Sequence, residues 1–565
     1  MEPVALSPDH RSTALERLRR ETFDVLVIGG GVTGAGIALD AATRGLSVAL
    51  VEQRDLAAGT SSRSSKLIHG GLRYLEQLNV ALVREALRER GLLLTELAPH
   101  LVRPVSFLYP LTHRVWERWY IGAGVQLYDR LGGARHLPRH RHLTRKAAQR
   151  LIPSLRKEAL VGAIRYYDAQ VDDARHTMEL ARTAAAHQAA VTTSTRVTGL
   201  LREGERVVGA HVRDQERGEQ IEVHARQVVN ATGVWTDEVQ DLVGRGRISV
   251  RASKGIHLVI PRDRLHGDSG IIVRTASSVL FVIPWGRHWI IGTTDTDWNL
   301  DLAHPAASAS DIQYLLDHVN RVLQVPLSHE DVEGVYAGLR PLLTGESDET
   351  SRLSREHAVV QTVAGLITIA GGKYTTYRVM AEDAVDAAAR NLPQRVPRSV
   401  TDRTPLLGAE GYHALWNRRD RLAAQSGLHV SRIEHLLNRY GSMITELLAL
   451  VDERPELAEP IAGADDYLKV EAVYAASHEG ALHLDDLLTR RTRISIETFD
   501  RGKAAARDTA PLVGEVLGWD AATTAREIEH YDARVAAELE SQQMPDDRTA
   551  DAARMGARDV RVGAG

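Results

Sequence analysis

Three glycines set the first chemistry open to this chain. Gly29, Gly31 and Gly34 form G-x-G-x-x-G directly after an apolar, β-branched run, Val25 to Ile28. A small-residue helical stretch, Ala35 to Arg44, follows and is stopped by Gly45. Such a loop binds a pyrophosphate: Gly29 allows the tight turn, Gly31 lets backbone approach the anion, and Gly34 lets helix pack on strand. The anion sits where unpaired N–H groups and the helix dipole point outward, with Val32 and Thr33 opening that helix. A second apolar strand, Leu46 to Val51, ends on Glu52, 18 residues after Gly34 and placed to accept hydrogen bonds from a ribose diol. Strand, helix, strand and carboxylate in that order predict an adenine dinucleotide site. Immediately beyond, Leu56 to Tyr74 (LAAGTSSRSSKLIHGGLRY) crowds small hydroxyl residues around Lys66, His69, Arg73 and the Gly70-Gly71 pair. That segment has little to give a core, and it can pass close to a ligand with N–H and O–H donors facing it.

The composition bounds what else the chain does. At 565 residues it is too long for one core, so two or three domains are expected. Hydrophobic residues at 43% and charged residues at 25% are those of an ordinary soluble protein. A formal net charge of −4 predicts no nucleic-acid partner. No stretch approaches the ~18 consecutive apolar residues of a membrane span. MEPVALSPDHRSTALERLRRETF lacks the apolar core of a signal peptide, and a cytoplasmic location is expected. Cysteine is absent, which excludes disulfides, thiolate zinc, cysteine-ligated iron–sulfur clusters and a dithiol relay. Electrons of any redox reaction must then leave an organic cofactor directly for the acceptor. No metal ligand is assigned.

The elements that must position these residues follow in chain order. Residues 1–22 predict a short lead-in helix, and Asn79 to Leu97 a strong one, with Val80, Val83, Leu87 and Leu94 at apolar positions. Residues 103–150 carry nine Arg and one Lys against Glu117 and Asp129, a local balance of +8, interleaved with Phe107, Tyr109, Trp116, Trp119, Tyr120 and Tyr128. Basic and aromatic residues together suit an anionic membrane surface. Residues 191–230 read as a β-meander running into an Ala-Thr-Gly turn, and 255–293 as further alternating strands. LITIAGGKYTTYR, Leu366 to Arg378, is again strand, glycine turn and helix. Past Pro405 the pattern turns helical: Ile433, Leu436, Leu437 and Tyr440, then Ile444, Leu447, Leu448 and Val451, recur at i, i+3, i+4, i+7. Residues 541–565, polar and small, are expected to be a disordered tail.

Six segments in order, FDVLVIGGGVTG, SSRSSKLIHGGLRYLE, VVNATGVW, GTTDTD, YAGLRPL and IAGGKYTTYR, resemble the FAD-dependent glycerol-3-phosphate dehydrogenases, and HEGALHLDDLLTRRTR resembles the helical domain appended to that family. The match runs from about residue 20 to about 530, and no single motif would suffice. The resemblance implies an α/β fold: a Rossmann-like FAD-binding domain with an antiparallel β substrate domain and a C-terminal helical domain. An FAD-dependent region of 20–395 would divide into FAD-binding parts (20–105, 150–250, 350–395) and a substrate sheet mainly over 255–350; helices would fill 405–540. By the same resemblance Glu52 binds the adenosine ribose and Val197 packs near the adenine. The run from Thr60 through Ser61, Ser62, Ser65, Lys66 and Leu67 to His69, the Ala231, Thr232, Gly233 and Trp235 turn, and Gly372, Lys373, Tyr374 and Thr375 would wrap the remainder of FAD.

The implied reaction oxidises sn-glycerol 3-phosphate to dihydroxyacetone phosphate, a hydride leaving C2 for the flavin while the hydroxyl proton goes to a base. A phosphate of charge about −2 calls for cations. The motifs offer Arg73, Arg340, Arg355 and Lys373, with Tyr74 beside the first. His257 and His69 are both candidate bases, since His titrates near working pH. Without a second G-x-G-x-x-G to house a nicotinamide, a membrane quinone is the expected acceptor and oxygen the alternative. A flavin amine or amino-acid oxidase and a non-catalytic flavoprotein scaffold are the other readings. The oligomeric state is open, a homodimer among the candidates.

Overall fold

A computed structural model describes residues 4–71, 79–113, 116–132, 137–244, 246, 248–275, 279–344 and 357–561. The chain opens on a helix, α1 (Pro8–Arg20), capped by Ser7, whose side chain accepts from the His10 N–H. The first sheet begins with β1 (Thr22–Ile28), whose last four positions are all buried and pair in parallel with β2 (Val48–Val51) on one side. On the other side β1 pairs in parallel with β10 (Gln220–Asn230), and β10 with β18 (Leu366–Gly371). β7 (Ala190–Thr192) adds a parallel strand to β2, β17 (His357–Val363) an antiparallel edge to β18. The β8–β9 hairpin (Thr195–Glu203, Arg206–Asp214) continues from β10. Strands buried on both faces read as unbroken apolar runs, which is why VLVI and VALV carry no alternation. Helix α2 (Val32–Thr43) packs on this sheet and against helix Tyr377–Ala389, so closely that a Cβ on Gly36 would lie 3.0 Å from the Tyr377 ring.

The second sheet has ten strands. Its centre is β11 (Val250–Pro261), flanked by β14 (His288–Gly292), β15 (Thr296–Trp298) and β16 (Gly334–Leu343), all antiparallel to it. β12 (Gly270–Arg274) and β13 (Val279–Trp285) follow. The sheet then continues through β4 (Val102–Leu111), β6 (Gly162–Val171) and β3 (Leu67–Ile68), with β5 (Arg141–Thr144) on β6. This corrects the expected partition. Parts of 20–105 and 150–250, assigned above to the dinucleotide layer, instead complete the sheet that 255–350 was expected to form. The reason is β4, whose residues pair with β6 over its full length and with β12 at Phe107 and Leu108.

Beyond 405 the helices close over their own core: Ile433, Leu436, Leu437, Tyr440, Ile444 and Leu447 are all buried. A two-stranded sheet, Pro460–Ile461 with Ala464–Leu468, interrupts them. The expected disordered tail is also corrected. Residues 547–554 form a helix capped by Asp546, Ala550 is fully buried, and Arg561 is buried against Asp486 and Ser194. Paired charges, with a small apolar contact from Ala550 and Met544, hold this segment down, so its composition misleads. Among the described residues no helix is long and apolar enough to cross a membrane.

Candidate active site

One cavity of about 560 Å³ runs between the two sheets, within the range of small-molecule and cofactor sites. Its first wall is backbone. Gly29 has φ +110°, and a Cβ on Gly34 would lie 1.9 Å from the Gly29 carbonyl oxygen, so no side chain fits there. Gly31 caps α2 without a side-chain hydrogen bond of its own, so N–H groups of the first turn beyond Val32 are left to the cavity. Ser61 Oγ accepts from the Val32 N–H at 2.9 Å, which ties the serine-rich segment to the mouth of the helix. The Glu52 carboxylate accepts from the Gly30 and Arg54 N–H groups at 2.6 and 2.8 Å. Burial raises its pKa against those two bonds. Two lone-pair positions remain on it for a diol.

The second wall is made of side chains on the antiparallel sheet. Register places Ser253 opposite Arg340 and His257 opposite Tyr336, so Arg340 and Tyr336 share a face of β16. Arg340 Nη2 donates to Thr293 Oγ1 and the Thr294 carbonyl at 3.0 and 3.1 Å, and Nη1 lies 3.4 Å from Asp295. The His257 ring stacks on Tyr336 with centroids 4.7 Å apart and an 11° tilt, and its Nε2 lies 2.8 Å from Ser65 Oγ. Burial, then the charges of Arg340 and Lys66, hold this imidazole well below its ordinary range, so it is neutral at neutral pH. Glycines make room for both: a Cβ on Gly255 would meet Arg340 at 2.5 Å, and one on Gly292 would meet the His257 ring at 2.2 Å. The third side is the Gly371–Thr375 turn, where Gly371 and Gly372 have φ near +80° and Thr375 Oγ1 accepts from the His69 N–H at 3.2 Å.

The cavity gathers Gly29, Gly31, Val32, Thr33, Glu52, Thr60, Ser61, Ser65, Leu67, His69, Val197, Ala231, Thr232, Gly233, Trp235, His257, Arg340, Gly372, Lys373, Tyr374 and Thr375. Gly34 lies beneath the loop. Two further expected residues do not line the cavity. Lys66 takes a left-handed backbone (φ +57°) that turns its side chain inward, fully buried, to pair with Asp173 at 2.8 Å. Ser62 likewise lies off the cavity, and its carbonyl accepts from Lys66 and Arg493. Arg73, Tyr74 and Arg355 lie outside the described residues. Sequence reasoning missed Arg54, Leu339 and Gly338; the last has no room for a Cβ because the Arg63 carbonyl oxygen passes 2.5 Å away. The G-L-R-P context of Arg340 was the available signal for these two β16 residues.

A long cavity with a glycine-capped helix N-terminus, a cradle that one Cβ would fill and a buried carboxylate at strand end fits a flavin dinucleotide. The fold and site define an FAD-dependent oxidoreductase: residues 24–378 match the family model described as FAD dependent oxidoreductase, and 399–524 that of the C-terminal domain of alpha-glycerophosphate oxidase. The chain is 62% identical over 560 residues to glycerol-3-phosphate dehydrogenase 2 of Mycobacterium tuberculosis, covering 99% of this chain and 96% of the relative. It is 37% identical over 543 residues to the mitochondrial glycerol-3-phosphate dehydrogenase of Homo sapiens, covering 92% and 74%. Among solved structures, the glycerol-3-phosphate dehydrogenase of Bacillus halodurans complexed with FAD superposes with a TM-score of 0.77 at 28% identity, covering 94% of this chain and 98% of that one. This chain belongs to the FAD-dependent glycerol-3-phosphate dehydrogenase family.

Proposed function

We propose that the chain oxidises the secondary alcohol of sn-glycerol 3-phosphate to dihydroxyacetone phosphate and delivers the electrons to a membrane quinone from the cytoplasmic face. The observation that carries the reaction is the meeting of Arg340, Lys373 and His257 on one cavity with the glycine cradle. Relatives across the whole length are named for glycerol 3-phosphate. FAD supplies the hydride acceptor when bound. The chain's own work is placement and proton transfer. Arg340, held by Thr293, Thr294 and Asp295, keeps a fixed positive charge on the cavity for the phosphate, which would take over the long Nη1 contacts. Lys373 adds charge beside the helix that starts at Tyr377. His257, kept neutral and aimed by Ser65, takes the hydroxyl proton, with His69 on the same cavity as the second candidate. Arg73, Tyr74 and Arg355 complete the substrate contacts on the strength of their motifs.

The membrane part rests on helix Trp116–Leu131. Trp116, Trp119, Tyr120 and Leu127 are 58%, 77%, 57% and 41% exposed, at spacings that put them on one face. Phe107, Tyr109 and Tyr128 are buried instead, which narrows the surface expected over 103–150. Exposed Arg139, Arg141, Arg145, Lys146 and Arg150 adjoin the helix, since Arg118 donates to the Leu143 carbonyl and the His142 ring lies against Gly122. Aromatics at headgroup depth beside cations suit an anionic leaflet. Co-sedimentation with anionic liposomes that weakens in salt, and is lost when Arg139, Arg141, Arg145 and Arg150 become Ser while soluble-dye activity survives, is the expected result. Undiminished vesicle binding by that variant contradicts the surface. Peroxide formed in step with substrate, and no quinone reduction, contradicts the acceptor.

A further inference from the structure

A second, smaller cavity of about 110 Å³ lies where the flavin domain, the C-terminal helices and the ordered tail meet. Eight arginines line it against three carboxylates. Five are neutralised: Arg490 by Asp55, Arg493 by Asp172, Arg561 by Asp486, Arg54 by Asp559 and Arg534 by Asp485. Others are not. Among the described residues neither Arg63 nor Arg554 has a carboxylate within ion-pair distance. Arg63 makes one long contact, 3.4 Å to the Ala303 carbonyl. Arg554 is only 7% exposed, and its contact is His304 Nδ1 at 3.4 Å, while Arg54 approaches Nε2 of the same ring at 3.3 Å. Arg54 has Asp559 at 3.1 Å as its counter-charge, so that ring is left as the contact of Arg554 alone, and a neutral imidazole brings that guanidinium no negative charge. Arg534, though paired with Asp485 and Glu538, keeps a buried Nη1 without a hydrogen-bond partner.

Buried cations gathered in this way repel one another. Burial, then Arg54, Arg490, Arg554 and Arg534, pull the Arg63 guanidinium down to about 9. Burial, then Arg534, lowers Arg554 as well. An uncompensated buried charge is strongly destabilising, and the usual remedy is a counter-charge with hydrogen bonds to spare. A tetrahedral oxyanion supplies both, and Arg forks match it bidentately. The volume is well short of the roughly 300 Å³ at which drug-sized ligand sites begin, so it takes one phosphate-sized group.

We propose that this cavity is a second anion site, built for a phosphate-type dianion, that pins the C-terminal segment around Arg554 to the loop carrying Arg63. It is separate from the substrate contacts on Arg340 and independent of the acceptor. Because Arg54 and Arg63 also line the large cavity, occupation of the small one would steady that shared wall. The dianion could be inorganic phosphate or the phosphate of an organic ester; the chemistry that recognises it is the same.

The test is binding of labelled inorganic phosphate to the FAD-loaded full chain at fixed ionic strength, in the parent and in Arg340→Ala, Arg554→Gln and Arg554→Lys. Binding that persists in Arg340→Ala, weakens about tenfold or more in Arg554→Gln, and is partly kept in Arg554→Lys is expected. Displacement of label by a nucleoside monophosphate would mark an organic ester as the natural source, and resistance to it inorganic phosphate. Binding lost with Arg340 and untouched by Arg554→Gln would overturn the proposal, as would no binding in the parent. Should Arg554→Gln release the tail outright, trypsin cleavage at Arg558 in the parent decides: phosphate must slow it, and equal cleavage with and without phosphate overturns the assignment.

Discussion

The two long walls of the flavin cavity are built by different means. On the dinucleotide side the working groups are backbone N–H groups, and the sequence contributes mainly by withholding side chains: Gly34 has no room for a Cβ, and Gly31 brings no side chain to the helix end. On the antiparallel sheet the working groups are long side chains, Arg340 and His257, and their neighbours exist to brace them. A backbone wall suits a cofactor that never leaves, because its geometry is fixed by the fold. A side-chain wall suits a substrate that must be told from its relatives, because charge and proton affinity can be set one residue at a time. The two walls should therefore fail differently.

The largest effect is expected on the backbone wall. The Gly31 Cβ position lies 3.2 Å from Ser61 Oγ, so a larger residue can be folded around but protrudes where the pyrophosphate belongs. Gly31→Val, and Glu52→Arg at the ribose end, should purify folded and largely without flavin. A full flavin spectrum in Gly31→Val would mean the loop holds something else.

On the side-chain wall the loss should be selective. Arg340→Ala should keep its flavin and lose about 1.5–3 kcal/mol per charged hydrogen bond, roughly ten- to a hundredfold in kcat/KM for glycerol 3-phosphate. Glycerol, lacking the phosphate, should hardly respond. Equal losses for both would place Arg340 in chemistry or folding. His257→Asn should lower kcat and remove the acidic limb of the rate profile. In the parent that limb should fall well below pH 6.5, since burial and Arg340 disfavour the protonated ring. An unchanged limb shifts the base to His69 or to solvent.

How much of this was legible follows the same division. The glycine cradle is local in sequence, and its turn chemistry can be read directly from Gly29, Gly31 and Gly34. Arg340 and His257 are brought together by the β11–β16 register; a family motif marked the first in advance, and histidine's titration range alone marked the second. The residue type of Lys66 suits a phosphate and says nothing of the buried pair with Asp173 that holds its side chain off the cavity. Phe107, Tyr109 and Tyr128 were misread because basic neighbours hid an internal strand and a helix's buried face. The tail was misread for the reason given by Arg561 and Asp486: ion pairs between distant residues leave no periodic trace.

The smallest effect should come from outside both walls, at the junction with the helical domain. Burial and Arg561 would lower the His483 imidazole, but its bonds to Glu216 and Glu527 override them and raise it to about 10. A folded-state pKa above the unfolded value contributes stability that is whole below about 6.5 and is lost as pH rises through about 10. Thermal unfolding should drop by a few degrees between neutral pH and pH about 10, and His483→Gln should flatten that slope while leaving kcat/KM at neutral pH alone. A parent and variant with the same slope would remove His483 from the junction's pH dependence.

The most direct test of the central claim is anaerobic titration of the FAD-loaded chain with sn-glycerol 3-phosphate, its enantiomer, dihydroxyacetone phosphate and glycerol. Bleaching of the flavin's visible band by sn-glycerol 3-phosphate, with dihydroxyacetone phosphate formed in equal amount and the band little changed by the other three, is the result expected. A band that no three-carbon phosphate bleaches, on a chain that holds its flavin, would contradict the account.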